Sequence, residues 1–222
     1  MHYSFSGVLF DLYGTLFTYG NMTKAFALWH ADLARAISST GHSVSVSQIS
    51  KQCKKFFAEP MPESDIYTSY ELRLQKLSRN LGFEPDKNWI KNTAETSMDR
   101  WQTQVPLHSE AKPLLKKLRI AGIRVGAISN FEHAAHVRKV LKASGLGEEL
   151  DAIIISGEVH CKKPDPKIFN LALKALGTEA PQTIFVGDDP ERDIKGAKSV
   201  GMQTKLFQNG ASLFSLFDLE NL

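Results

Sequence analysis

The sequence predicts an α/β fold built on a doubly wound parallel sheet and interrupted early by a helical insertion. From about residue 107 onward, short apolar runs ending in turn residues alternate with helical periodicity, the rhythm of parallel strands joined by crossover helices. One more such run, Val8-Leu9-Phe10, stands by itself near the beginning. Between the two lies a stretch whose apolar residues follow helical spacing only. The expected organisation is a discontinuous core of residues 1–18 and 107–222 around a helical cap of residues 19–106.

The first strand, over residues 6–12, is apolar without alternation, as a strand covered on both faces is, and it ends at Tyr13-Gly14-Thr15. In the insertion, Met22, Ala25, Phe26, Trp29, Leu33 and Ile37 repeat at helical spacing, as do Tyr67, Tyr70, Leu74, Leu77 and Leu81. Two further helices are expected over 47–58 and 86–104, set apart by Glu59-Pro60-Met61-Pro62 and Gly82-Phe83-Glu84-Pro85. Phe26, Trp29, Phe56, Phe57, Trp89 and Trp101 are expected to form the core of this unit rather than line a pocket.

After Pro106 a helix over 109–121 stops at Gly122, and a strand over 123–128 ends at Ser129-Asn130. A helix over 132–143 leads to a strand over 152–155, and Lys163-Pro164-Asp165-Pro166 opens the next helix with Pro166 in its first turn. A strand over 183–186 ends in Gly187-Asp188-Asp189, a helix over 191–200 stops at Gly201, and the last strand covers 204–207. The apolar tail Leu213, Phe214, Leu216, Phe217 and Leu219 is expected to pack on the sheet or to form a dimer contact, leaving monomer and homodimer both open.

Composition places the chain among ordinary folded proteins: 222 residues, 42% apolar and 23% charged. The 27 basic and 24 acidic residues leave a net charge of +3 with the lysine pairs scattered, which does not favour nucleic acid as a partner. No apolar run reaches the length of a membrane span, so a cytoplasmic protein with a small-molecule substrate is expected. Cys53 and Cys161 have neither disulfide-framework nor zinc spacing.

Ligands of open parallel sheets bind at the carboxyl ends of the strands. Asp11, Ser129, Lys163 and Asp188 all fall in those loops. Each has an ordinary reading on its own, as turn former, helix cap, surface lysine or loop acid, but four in order point to one site. Asp11, Asp188, Asp189 and Asp193 outnumber Lys163, so their mutual repulsion calls for a cation. His133 and His136 are expected on a solvated helix face, and Cys161, beside Lys162-Lys163, is expected to be unreactive.

Four motifs then resemble the haloacid dehalogenase-like hydrolase superfamily. They are Asp11-Leu12-Tyr13-Gly14-Thr15-Leu16, Ser129-Asn130, Lys163-Pro164-Asp165-Pro166 with Ile168-Phe169, and Val186-Gly187-Asp188 through Asp193 with Gly196-Ala197. The resemblance implies a Rossmann-like core with a cap domain, and Asp11 as a nucleophile whose covalent aspartyl intermediate is hydrolysed by water. For a phosphatase of this family it further implies Mg²⁺ held by Asp11, the Tyr13 carbonyl and Asp188, with Asp189 and Asp193 beside the metal or orienting its neighbours. Thr15, Ser129 and Lys163 would hold the phosphoryl oxygens, and Tyr13, Gly14 and Asn130 would contact substrate.

One position departs from the family pattern. Its phosphatases carry a general acid–base aspartate two residues after the nucleophile, where this chain has Tyr13. Such help is typically worth about 10²–10⁴ in rate. Three readings follow: a Mg²⁺-dependent phosphohydrolase of a small phosphorylated metabolite in which Asp189, a cap residue or water replaces the acid; a 2-haloacid dehalogenase, whose first motif has tyrosine at that place; and a catalytically weak binding or regulatory protein. The intact metal motif puts the first ahead.

Overall fold

A computed structural model describes residues 5–217. The chain divides into two compact units, one made of the residues up to Tyr19 together with those from Pro106 onward, the other of Gly20–Val105.

The first unit begins with β1 (Gly7–Asp11), every residue of which is buried. The second unit then contributes α1 (Met22–Ser38), α2 (Val46–Cys53), α3 (Ser69–Asn80) and α4 (Lys87–Gln102). On return to the first unit the chain forms α5 (Ala111–Ile120), β2 (Arg124–Ser129), α6 (Ala134–Ser144), β3 (Ala152–Ile155), the single turn α7 (Ser156–Val159), α8 (Pro166–Leu176) and β4 (Thr183–Gly187). A π-helical turn (Pro190–Lys195), the short α9 (Gly196–Ser199) and β5 (Gln203–Leu206) follow.

The five strands form one parallel sheet in the order β3-β2-β1-β4-β5, the doubly wound arrangement expected from the alternating pattern. Its register sets β1 centrally, with Leu9 opposite Gly126 on one side and Phe185 on the other. One sheet face packs Leu9, Ile128 and Phe185 against Phe169, Ala172 and Leu176 of α8. The Phe10 ring lies 6.4 Å from that of Phe217, so the C-terminal segment packs on the sheet at that residue; Leu219 lies outside the described residues.

The second unit is helical, and each long helix has a side-chain cap: Asn21 for α1, Ser45 with Gln48 for α2, Thr68 with Glu71 for α3, and Asp86 for α4. Its core carries a buried polar chain in which Trp29 Nε1 donates to the Tyr70 hydroxyl at 2.7 Å and that hydroxyl shares a 2.8 Å hydrogen bond with Ser97. Trp89 Nε1 donates to the Ala36 carbonyl, pinning α4 to α1. Among the described residues, no helix is long and apolar enough to cross a membrane.

Several local expectations change. The helix expected over 47–58 ends at Cys53, because the following residues turn tightly and the Phe56 carbonyl accepts from the Arg73 guanidinium instead of a helical N–H. Trp29 and Phe56 are core residues, but Phe26 and Phe57 are 43% and 50% exposed, Phe26 meeting the Trp29 ring edge-on and Phe57 stacking against it. The continuous helix expected over 191–200 is a π-turn followed by α9, because the Asp189 carbonyl accepts from both Asp193 and Ile194. His133 and His136 are buried rather than solvated: the helix face that carries Val137 and Leu141 into the core also carries His133, and the His136 ring stacks on Phe131.

Candidate active site

Parallel strands deliver their following loops to one edge of the sheet, and the loops after β1, β2 and β4 meet the one before α8 there. The result is a cavity of ≈ 80 Å³, room for about two or three waters. Asp11, Tyr13, Ser129, Asn130, Lys163 and all three of Asp188, Asp189 and Asp193 line it.

At its base is a buried ion-pair triad. Lys163 Nζ lies 2.5 Å from Asp11 Oδ1 and 2.6 Å from Asp193 Oδ1, with all three side chains at most 8% exposed. The ammonium also sits 5.4 Å from the centre of the Phe185 ring. Burial alone would lower the Lys163 pKa, but the two carboxylates outweigh it and raise it. Burial pushes the Asp11 carboxyl up to about 7; Lys163 opposes this and Asp193 adds to it.

Carboxylate oxygens of Asp11, Asp188 and Asp193 lie within 4.8 Å of one another. Asp188 is half-buried, and burial with Asp193 nearby raises its pKa as well. One lysine cannot neutralise three converging carboxylates, and an all-oxygen donor set is what a hard divalent cation takes. Asp11 Oδ2 is buried with no hydrogen-bond partner among the described residues, so it is available to such an ion. Asp193 is more fully engaged, since its Oδ2 accepts from the Asp189 N–H at 3.1 Å while Oδ1 pairs with Lys163.

Two glycines make this crowding feasible. Gly14 has φ +110, and a Cβ there would stand 2.3 Å from Asp188 Oδ2. At Gly187 a Cβ would stand 2.3 Å from Asp193 Oδ2, so any larger residue at the end of β4 would displace the triad.

The remaining expected residues fall into distinct roles. Thr15 Oγ1 and Ser129 Oγ are buried and have no hydrogen-bond partner among the described residues; Ser129 lines the cavity, whereas Thr15 lies outside its lining. The Asn130 side chain is directed to protein instead: its Oδ1 accepts from the Lys163 N–H at 2.8 Å and its Nδ2 donates to the Lys163 carbonyl at 2.9 Å. Asp189 caps the π-turn, with Oδ1 accepting from the Glu191 and Arg192 N–H groups and Oδ2 paired to the Arg192 guanidinium. Burial would raise its carboxyl, but the Arg192 backbone and side chain outweigh that and hold it below the ordinary range, unsuited to giving up a proton near neutrality.

The Tyr13 ring is buried among Phe17 and Phe131, with centroids 5.7 and 4.8 Å away. Burial raises its phenol pKa, keeping it protonated. Cys161 lies outside the cavity lining, and burial raises its thiol pKa too. Two cavity residues, Tyr19 and Arg192, were not singled out by motif. Tyr19 carries no local signal, whereas Arg192 lies inside the fourth motif, three residues after Asp189.

A parallel five-stranded sheet with a helical insertion after its first strand and this carboxylate–lysine site define a hydrolase of the haloacid dehalogenase class. The family model for haloacid dehalogenase-like hydrolases matches residues 5–201, and the chain belongs to that family. Among curated proteins, it is 32% identical over 111 residues to a phosphoserine phosphatase of Thermus thermophilus, covering 50% of this chain and 44% of that protein. The chain thus spans less than half of that relative's length. It is 25% identical over 204 residues to a glyceraldehyde 3-phosphate phosphatase of Methanopyrus kandleri, covering 91% and 84% of the two chains. An (S)-2-haloacid dehalogenase of Pseudomonas fluorescens is 26% identical over 211 residues, covering 92% and 86%.

Solved structures share the fold. A phosphatase from Thermococcus onnurineus superposes with a TM-score of 0.66 at 24% identity, covering 96% of this chain and 91% of that one. A Bacteroides thetaiotaomicron family enzyme in complex with magnesium and inorganic phosphate gives a TM-score of 0.66 at 19% identity, covering 96% and 99%.

Proposed function

We propose that this hydrolase is a Mg²⁺-dependent phosphatase of a small phosphorylated metabolite, working through a covalent aspartyl-phosphate on Asp11. The observation that carries the reading is the carboxylate cluster of Asp11, Asp188 and Asp193, which Lys163 leaves under-neutralised. Asp11, the Tyr13 carbonyl and Asp188 would hold Mg²⁺, which when bound neutralises the carboxylates and the phosphoryl oxygens. Asp193 then keeps Lys163 in place.

Asp11 attacks phosphorus with one carboxylate oxygen, the P–O bond to the leaving group breaks, and the leaving alkoxide departs with its electron pair. Lys163 and the hydroxyls of Thr15 and Ser129 take the charge that develops on the phosphoryl oxygens. Water then attacks the phosphorus of the aspartyl-phosphate, restoring Asp11 and releasing inorganic phosphate. Asp189 is committed to its cap and to Arg192, so within the core unit the leaving group's proton comes from water or the substrate needs little protonation.

Tyr13, together with the alignment to the Pseudomonas fluorescens haloacid dehalogenase, favours a second reading, dehalogenation through the same nucleophile. Hydrolysis of p-nitrophenyl phosphate, measured with Mg²⁺ and with EDTA, tests both, because its activated leaving group needs no acid. Activity that requires Mg²⁺ and vanishes in Asp11→Asn is expected. Metal-free turnover of a short 2-haloacid, without phosphatase activity, would replace the first reading by the second.

A further inference from the structure

The loop after β1 folds back on itself. Gly14 N–H donates to the Phe17 carbonyl and Phe17 N–H to the Leu12 carbonyl, each at 2.7 Å, and Phe17 bridges to Leu107. That fold returns Tyr19, six residues on, to the same loop, where its hydroxyl donates to the Tyr13 carbonyl at 2.9 Å. The backbone of Tyr19 is held in turn, since Asn209 Nδ2 donates to its carbonyl at 3.4 Å.

The Tyr13 carbonyl is thereby held from the side of its oxygen. It belongs to the peptide preceding Gly14, whose φ of +110 lies where glycine has rotational freedom denied to other residues. The N–H of the same peptide, that of Gly14, is held by the Phe17 carbonyl, and the Tyr19 hydroxyl adds a second hold on the oxygen itself. A carbonyl oxygen has two lone pairs, so accepting one hydrogen bond does not by itself prevent it from meeting a cation.

We propose that Tyr19 is a positioning residue for the cation site, its hydroxyl fixing the direction in which the Tyr13 carbonyl points. The proposal rests on the preceding reading, in which that carbonyl joins Asp11 and Asp188 around Mg²⁺. Groups that hydrogen-bond to metal ligands orient them, and losing one typically costs about 10–100-fold in metal affinity.

The test is calorimetric titration of Mg²⁺ into the wild-type chain and into Tyr19→Phe, which removes one oxygen from a residue 37% exposed. The dissociation constant is expected to rise about tenfold, while the unfolding midpoint without Mg²⁺ stays at the wild-type value. With p-nitrophenyl phosphate, kcat at saturating Mg²⁺ is expected to recover, so that the defect appears in the Mg²⁺ requirement. Equal Mg²⁺ affinity in the two proteins overturns the proposal, as does a lower midpoint accompanied by a kcat that Mg²⁺ does not restore. Failure of the wild-type chain to bind Mg²⁺ would instead overturn the reading beneath it.

Discussion

Asn130 and Lys163 exchange two hydrogen bonds, side-chain amide to backbone, which lock the loop after β2 to the loop that presents the buried ammonium. The family resemblance implied a substrate contact for Asn130; the amide lines the cavity, and its observed bonds run to the Lys163 backbone.

Replacing Asn130 by alanine leaves the Lys163 N–H and carbonyl without these partners. Losing such bonds in a partly buried setting costs about 1–3 kcal/mol, readable by urea unfolding. Turnover of p-nitrophenyl phosphate is expected to fall more in kcat than in KM, because Lys163 would be misplaced rather than absent. Asn130→Asp, which keeps the acceptor but loses the donor, should fall between. A wild-type kcat in the alanine variant would show that Lys163 is positioned without this link.

Asp189 and Asp188 are neighbours with opposite commitments, and substitution should separate them. Asp189→Asn removes the Arg192 ion pair and weakens the cap, with a cap typically worth about 1 kcal/mol, and is expected to leave most of the activity. Asp188→Asn should lower Mg²⁺ affinity severely. A loss of about 10²-fold or more in kcat for Asp189→Asn would reinstate it as the acid–base group.

Gly14→Ala is expected to be disproportionately harmful for a single added methyl. The new Cβ would meet Asp188 at 2.3 Å on a backbone of φ +110. Both the strain and the displaced carboxylate act in the same direction. Mg²⁺ binding by calorimetry should be lost, while circular dichroism still reports a folded chain; undiminished binding would contradict the geometry.

The protein without metal should lose stability as pH rises. With the Asp11 pKa raised from 3.8 to about 7, the folded state binds more protons than the unfolded state between those values. Stability contributed by the protonated form is therefore present at the acid end of that window and declines toward pH 7. Saturating Mg²⁺, which in the proposed reading would bind the ionised carboxylate, should offset the decline. Unfolding midpoints followed across this range, with Asp11→Asn as reference, check this: equal slopes in the two proteins would remove Asp11 as the cause.

What could be read from the sequence depended on how local its cause was. The run 152–155 became β3 with those bounds, because Ala-Ile-Ile-Ile between polar flanks has few alternatives. The order of strands and helices was equally legible, since two periodicities that differ so much are hard to confuse. The π-turn was not, because it depends on the Asp189 carbonyl accepting two N–H groups and on the Asp193 side chain returning to Asp189. The burial of His133 was within reach, as it stands four and eight residues before Val137 and Leu141, at the cap of the helix that carries both into the core. Tyr19 lay beyond reach: its partner is set by how the loop folds, which no spacing encodes.

The division of the chain also gives it a built-in spectroscopic label. All three tryptophans, Trp29, Trp89 and Trp101, lie within Gly20–Val105. Light absorbed selectively by indole therefore interrogates the helical unit alone, while the sheet that carries Asp11 remains dark. Fluorescence and far-ultraviolet circular dichroism, followed in one denaturation series, would show whether the two units melt together or in sequence, without any introduced dye.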